Sequence, residues 1–200
     1  MGTSNVDLYA VWQEVPNITD SLGNEYVYVP GIMWQPNLHV GKDEVTTELF
    51  NYVMGFFYYD ISSSSSVSID NVSWYDAILF CNLLSEMEGL TSVYWISSCG
   101  GYLYWPTPSY YGLLNDHDWD AAGHIEGTGY RLPTASEWEY IEQIRSNSII
   151  YNGIREWCWD EEYNVDWNIT RAIRGTSYSG FDLPGTCENG LGFRLVRKVE

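Results

Sequence analysis

Apolar residues recur along this chain with two periods. Three segments repeat them every three to four positions, the spacing that lines one face of an α-helix. The first runs through Leu49, Phe50, Val53, Met54 and Phe57, behind Thr46-Thr47-Glu48. The second runs through Ile78, Cys81, Leu83 and Leu84, behind Ser73-Trp74-Tyr75-Asp76, which has the form of a capping box. There the first hydroxyl accepts a free amide of the helix and the acid three residues on reaches back. Thr134-Ala135-Ser136-Glu137 is a fuller version, ahead of Trp138, Ile141 and Ile144. Each stripe predicts a helix with one face on a core. Strands are expected at Tyr26-Val27-Tyr28-Val29, stopped by Pro30-Gly31, at Arg171 to Gly175, and at Gly192 to Val196.

The rest of the chain reads as loops. Residues 1–25 are polar without a period and predict an arm or an extra strand, ahead of a single domain over 26–200. No signal peptide is expected at the start. The serines Ser62 to Ser66 read as a surface loop. Residues 94–129, rich in Gly, Tyr, Trp, Pro and Asp, are too long for a plain connection and predict short strands or a functional insertion. No internal repeat is visible.

Composition narrows the function classes. The 200 residues are 45% hydrophobic and only 18% charged, with 10 Trp and 17 Tyr. So many rings either fill a loop-rich core or build a binding surface. The net charge of −18 argues against nucleic acid and anionic membrane surfaces as partners. No apolar run approaches the ~18 residues of a membrane span, so no direct membrane insertion is expected. Cys81, Cys99, Cys158 and Cys187 form no CxxC pair, and His39, His117 and His124 share no metal-ligand spacing.

Several blocks fall in a distinctive order: Asn71-Val72-Ser73-Trp74-Tyr75-Asp76-Ala77 with Phe80-Cys81-Asn82, then Gly129-Tyr130-Arg131-Leu132-Pro133-Thr134 with Glu137-Trp138-Glu139-Tyr140. Arg155-Glu156-Trp157-Cys158-Trp159-Asp160, Arg174-Gly175-Thr176-Ser177-Tyr178 and Gly192-Phe193-Arg194 follow. Over about residues 26–197 this order resembles the formylglycine-generating-enzyme, or sulfatase-modifying factor, family. The resemblance implies an α+β, C-type-lectin-like fold: a small twisted antiparallel sheet, two main helices and much irregular loop. Arg194, between apolar neighbours, is expected to pair with Glu137 or Glu139.

The same resemblance tests for catalysis. Its oxidases hold copper through two cysteines, one just beyond the aromatic of the Arg-Gly block and one five residues later; soft thiolates suit Cu(I). Here Tyr178 is followed by Ser179, Gly180, Phe181, Asp182, Leu183, Pro184 and Gly185, and Cys187 is the nearest thiol. Iron-dependent relatives need a facial triad of two histidines and a carboxylate in a separate helical domain, for which three scattered histidines do not suffice. The family's calcium sites imply Glu156 as a possible ligand, although Arg155 beside it would compete with a cation. Asn115 to Asp120 only loosely resembles a calcium loop.

With catalysis removed, the chain is similar to the variable proteins of diversity-generating retroelements, whose C-terminal segment is rewritten on a constant fold. This implies a non-enzymatic ligand-binding protein with no required cofactor and calcium possible. Its site would be built from Trp157, Trp159, Tyr163, Trp167, Thr176, Tyr178, Ser179, Gly180, Phe181, Asp182, Leu183, Thr186, Cys187 and Asn189. Tyr178 and Phe181 are expected on the surface, while the tryptophans could equally serve the core. The expected partner is a variable or cell-surface ligand, and the expected location a cell surface or virus particle. Oligomeric state stays open. The alternatives are a divergent oxidase, or a lectin-like or structural surface protein of fixed specificity.

Overall fold

The computed structural model describes residues 15–55, 67–95, 97–98, 101–102, 123–124, 127–144 and 148–199. In chain order the elements are β1 (Ile18–Thr19), β2 (Glu25–Val29), β3 (Leu38–Gly41), α1 (Thr47–Met54) and α2 (Trp74–Met87). The short strands β4 (Tyr94–Trp95), β5 (Ser97–Ser98), β6 (Gly101–Tyr102) and β7 (Gly123–His124) follow. Then come α3 (Ala135–Ile144), β8 (Arg155–Tyr163), β9 (Ile169–Gly175), β10 (Tyr178–Asp182), β11 (Leu191–Gly192) and β12 (Val196–Lys198).

The three expected helices form, and their caps explain where each begins. Thr46 accepts the Leu49 amide through its hydroxyl. Ser73 and Asp76 make the reciprocal capping box of α2. At α3 the Thr134 hydroxyl accepts the Glu137 amide at 3.1 Å, and the Glu137 carboxylate accepts the Thr134 amide at 2.8 Å. Helix α2 stops at Gly89, whose φ of +69° is left-handed. There Leu90 N–H reaches back to Ser85 O and Gly89 N–H to Glu86 O, the paired bonds that close a helix end.

Two four-stranded sheets carry the helices. One has the order β1-β2-β3-β12 and the other β10-β9-β8-β11; β4 pairs with β7 and β5 with β6. β1 sits at the edge of the first sheet, within the stretch read as an arm or extra strand. β11 runs parallel to β8, so the second sheet is mixed rather than wholly antiparallel. Gly192 in β11 crosses so close to Ile69 that a Cβ there would stand 2.1 Å from the Ile69 carbonyl oxygen.

The largest core cluster joins α1 and α2 to both sheets through Tyr26 of β2, Phe50, Trp74, Phe80, Trp157 and Phe193. Phe193 lies edge-on to Phe50 and to Phe80. Buried indoles find backbone partners: Trp74 Nε1–H donates to Cys158 O at 3.0 Å and Trp157 Nε1–H to Val72 O at 2.9 Å. These bonds tie the start of α2 and the segment just ahead of it to β8 across more than eighty residues of sequence. Among the expected helix-face residues, Ile144 is exposed rather than on the core, because it ends α3. Phe57, Ser62 to Ser66 and the Asn115 to Asp120 cluster lie outside the described residues.

The pairing expected for Arg194 is corrected. Glu137 is taken by Arg131, both guanidinium nitrogens donating at 2.7 Å, and Glu139 by Arg174 at 2.8 Å. Arg194 instead donates to Glu156 and lies 3.3 Å from Glu44. The parallel register Gly192↔Glu156 brings the start of this segment beside β8, and linear order does not reveal that register.

Candidate functional site: the C-terminal face

β8 and β9 pair antiparallel from Glu156↔Arg174 to Tyr163↔Ile169, with a register shift between Trp157 and Glu161. β10 is the edge strand, paired with β9 from Tyr178↔Gly175 to Asp182↔Arg171. One side of this sheet packs on α3, where Cys158 and Ala172 meet Ala135 and Trp138. The other side carries Trp157 and Ile173 into the main core.

Trp157 is therefore removed from the expected binding set. Its side chain is 0% exposed, because its position on β8 points it at α2. Trp159 is half-buried, its ring 5.4 Å from Trp74 and 4.9 Å from Tyr94. Arg171 lies 4.0 Å from the Trp74 ring centroid and 5.2 Å from that of Trp159, so this end of the core is closed by a cation over two indoles.

The other expected residues do reach the surface. Tyr178 and Phe181 are 40% and 39% exposed, as expected. Each is held by an arginine. The Arg155 guanidinium is 5.3 Å from the Tyr178 ring and bonds Glu188 at 2.7 Å. The Arg174 guanidinium is 5.9 Å from the Phe181 ring. Tyr178 folds over Gly180, where an added Cβ would meet the phenol oxygen at 2.8 Å. Thr176, Ser179, Leu183, Cys187 and Asn189 are exposed. Asp182 differs: its Oδ1 accepts the Leu183 amide at 2.7 Å and the Thr186 hydroxyl at 3.0 Å, which shapes the turn.

The loop after β10 is fastened mainly through its backbone. Pro184 O accepts from Trp74 N–H at 3.0 Å, and Glu188 O accepts from Asn71 N–H at 3.1 Å and Leu191 N–H at 3.1 Å. Thr186 N–H donates to Leu183 O at 2.9 Å, and Gly190 N–H to an Asp70 carboxylate oxygen at 2.7 Å. Such bonds are largely indifferent to the loop's own side chains.

Beyond the sheet, the β8–β9 turn carries Tyr163, Val165 and Trp167 at 56%, 94% and 83% exposure. Sequence reasoning named Tyr163 and Trp167 but missed Val165 and the clamp Arg155. A run of Val165 and Trp167 interleaved with Asn164, Asp166 and Asn168 was the available signal. It also missed the β2–β3 turn, where Ile32 O accepts from Gln35 N–H at 2.9 Å and displays Met33 and Trp34 at 94% and 75% exposure.

Glu156 does not suit calcium. Arg194 Nε and a terminal nitrogen reach its two oxygens at 3.2 and 3.0 Å, and Trp138 Nε1–H donates at 2.9 Å. A cation would face a guanidinium in a fully buried site. The competing charge is Arg194; Arg155 turns outward to Glu188. Nor do the described thiols suit copper. Cys81 and Cys158 are buried in core clusters, with desolvation pushing both thiols up, and exposed Cys187 is also raised by desolvation and by Asp76. The two positions that resemblance assigns to copper hold no cysteine. His39 Nε2 lies 3.0 Å from Pro16 O in a structural contact. A cleft of about 210 Å³ is lined by Glu25, Asp43, Glu44 and Thr46 among others, none from the C-terminal face.

Residues 33–143 match the model of the sulfatase-modifying factor enzyme 1-like domain, more than half of the chain. The chain belongs to the sulfatase-modifying factor family. Among the described residues, the two four-stranded sheets and three helices make the C-type-lectin-like fold of that family. Variable protein 1 of Treponema denticola superposes with a TM-score of 0.63 at 22% identity, over 92% of this chain and 94% of that one. CarF superposes with a TM-score of 0.65 at 18% identity, over 82% of this chain and 87% of its own. The chaperone protein LppX of Paenibacillus barcinonensis is 30% identical over 146 residues, 66% of this chain and 49% of that protein. This family member thus spans about half the length of that relative. No helix among the described residues is long and apolar enough to cross a membrane.

Proposed function

We propose that this family member is a non-enzymatic ligand-binding protein. Its surface from β10 through Asn189, with the β8–β9 turn, is the binding face, displayed on a cell or virus particle in the manner of a diversity-generating retroelement variable protein. The observation that carries this reading is the division of labour after β10. Bonds from the loop's backbone to Trp74, Asn71 and the Asp70 carboxylate hold the loop, while Leu183, Cys187 and Asn189 extend outward, as Ser179 does from β10 itself. A scaffold of this kind accepts many side chains without losing its shape. The fold shared with variable protein 1 of Treponema denticola supports the reading, and the name of the chaperone relative is in keeping with a polypeptide ligand. Binding requires no cofactor.

Sequencing the codons for residues 150–200 across the natural population tests it. Substitutions concentrated at exposed positions between Tyr163 and Asn189, sparing Gly192, Phe193 and Arg194, are the expected result. A segment as constant as the helices removes the diversification. Tight Cu(I) binding with oxidation of a cysteine peptide would remove the non-enzymatic reading.

A further inference from the structure

The β8–β9 turn combines two unfavourable features in one residue. Trp167 has a φ of +63°, a left-handed conformation that bulky side chains rarely adopt. Its ring is 83% exposed, so burial does not compensate the backbone. The conformation is held from outside the residue. Asn164 Oδ1 accepts the amides of Asp166 at 2.9 Å and Asn168 at 3.0 Å. Asn164 also donates its amide to Asn168 O at 3.0 Å and accepts the Trp167 amide at 3.0 Å. Glycine or asparagine at 167 would suit this turn without strain. A strained backbone over-determined by its neighbours marks a place where the displayed side chain has a use.

The surroundings narrow what that use is. Val165 and Tyr163, two and four residues before it, are also exposed. Glu161 is 3.3 Å from Arg171, but Glu162 and Asp166, both exposed, have no paired cation among the described residues. An apolar tip with uncompensated acids fits a pocket with a basic rim, where those carboxylates gain partners as the ring is desolvated. A second copy of this chain would bring another −18 to the contact. A lipid surface would draw Glu162 and Asp166 into the interface beside the ring.

We propose that the turn from Tyr163 to Trp167 is a preformed anchor that inserts Trp167 into an apolar cleft of a polypeptide partner rimmed with lysine or arginine. This rests on the C-terminal face being the binding surface, and it divides that face. The turn supplies the shared affinity, and the loop after β10 selects among partners. Holding the ring in place before contact removes part of the ordering cost of binding.

The test is selection of a random peptide display library on the full chain, followed by affinity measurements of the winning peptides. The expected winners combine apolar residues with lysine or arginine. Trp167→Gly should weaken them by at least about tenfold while leaving the melting temperature unchanged or higher. Glu162→Gln with Asp166→Asn should weaken them by a smaller factor and flatten the salt dependence. Neutral or acidic winners, an absence of enriched peptides, or equal binding by Trp167→Gly would overturn the proposal. So would a dimer of the chain itself that Trp167→Gly abolishes, because the occupant would then be a second copy. Leu183→Ser separates the two readings. If it abolishes binding and Trp167→Gly does not, the anchor fails and the binding face stands. If Trp167→Gly alone abolishes binding, the anchor stands and the face narrows to the turn.

Discussion

Arg194 donates to both carboxylate oxygens of Glu156, at 3.2 and 3.0 Å, across 38 residues of chain and with neither side chain more than 1% exposed. The same guanidinium is 3.3 Å from Glu44 and donates to the carbonyls of Gly41, Lys42 and Ile150. Burial alone would lower the arginine's pKa, but Glu156 and Glu44 more than reverse that, so the charge is kept. One cation thus joins β8, the end of β3 and the segment before β12.

Arg194→Met should consequently be severe. It leaves two carboxylates and three carbonyls facing an apolar side chain, and removing one partner of a buried ion pair costs about 3–5 kcal/mol. That is a large share of the roughly 5–15 kcal/mol by which domains are stable. Urea unfolding of the purified variant reads the loss directly, and a loss below about 1 kcal/mol would show that the network does not hold the sheets together.

Acid sensitivity should trace to a different pair. Burial alone would raise the Glu137 carboxyl, but the Arg131 guanidinium and the Thr134 amide and hydroxyl outweigh it and hold the carboxyl below its ordinary value of 4.5. A depressed folded pKa means that the unfolded chain takes up the proton first as pH falls. The pair's contribution is therefore complete above the unfolded value and is lost as pH falls through the folded one. Melting temperature against pH should drop more steeply below about pH 4.5 for the native chain than for Glu137→Gln. Parallel curves would remove Glu137 as the cause.

Tolerance to substitution should divide along β8 and β10. Trp157→Ala opens a cavity under α2 and strands the Val72 carbonyl, costing about 3–5 kcal/mol. Substitutions at Ser179, Leu183 and Asn189 should each stay within about 0.5 kcal/mol, because their side chains are exposed and the bonds that hold the segment do not use them. Asp182→Ala should fall between, since it frees the Leu183 amide and the Thr186 hydroxyl. A stability screen over residues 155–190 measures all of these at once, and a loop as intolerant as Trp157 would contradict a replaceable surface.

Local signals carried much of this fold. The caps at Thr46, Ser73 and Thr134 each need only residues three positions apart, so their chemistry is complete within a few residues of sequence. Tyr178 and Phe181, expected on the surface from the resemblance to variable proteins, are exposed. The depth at which each tryptophan lies was not legible. Trp157 is in the core, Trp159 half-buried and Trp167 in solvent, although all three belong to one aromatic run. Trp157 and Trp159 share the core face, as alternation requires, and differ in depth, while Trp167 lies in a left-handed turn beyond the strands, where alternation does not apply.

By itself the sequence determined the helices, their starts, the family order of its motifs and the net charge of −18, because these depend on neighbours along the chain or on composition. Only the tertiary structure decided that Arg194 answers Glu156 rather than Glu137, that Glu156 is closed to a cation, and that the β8–β9 turn stands out from the face. Each of these depends on which strands become neighbours and in what register, and strand pairing is set by packing across the whole molecule rather than by any local stretch.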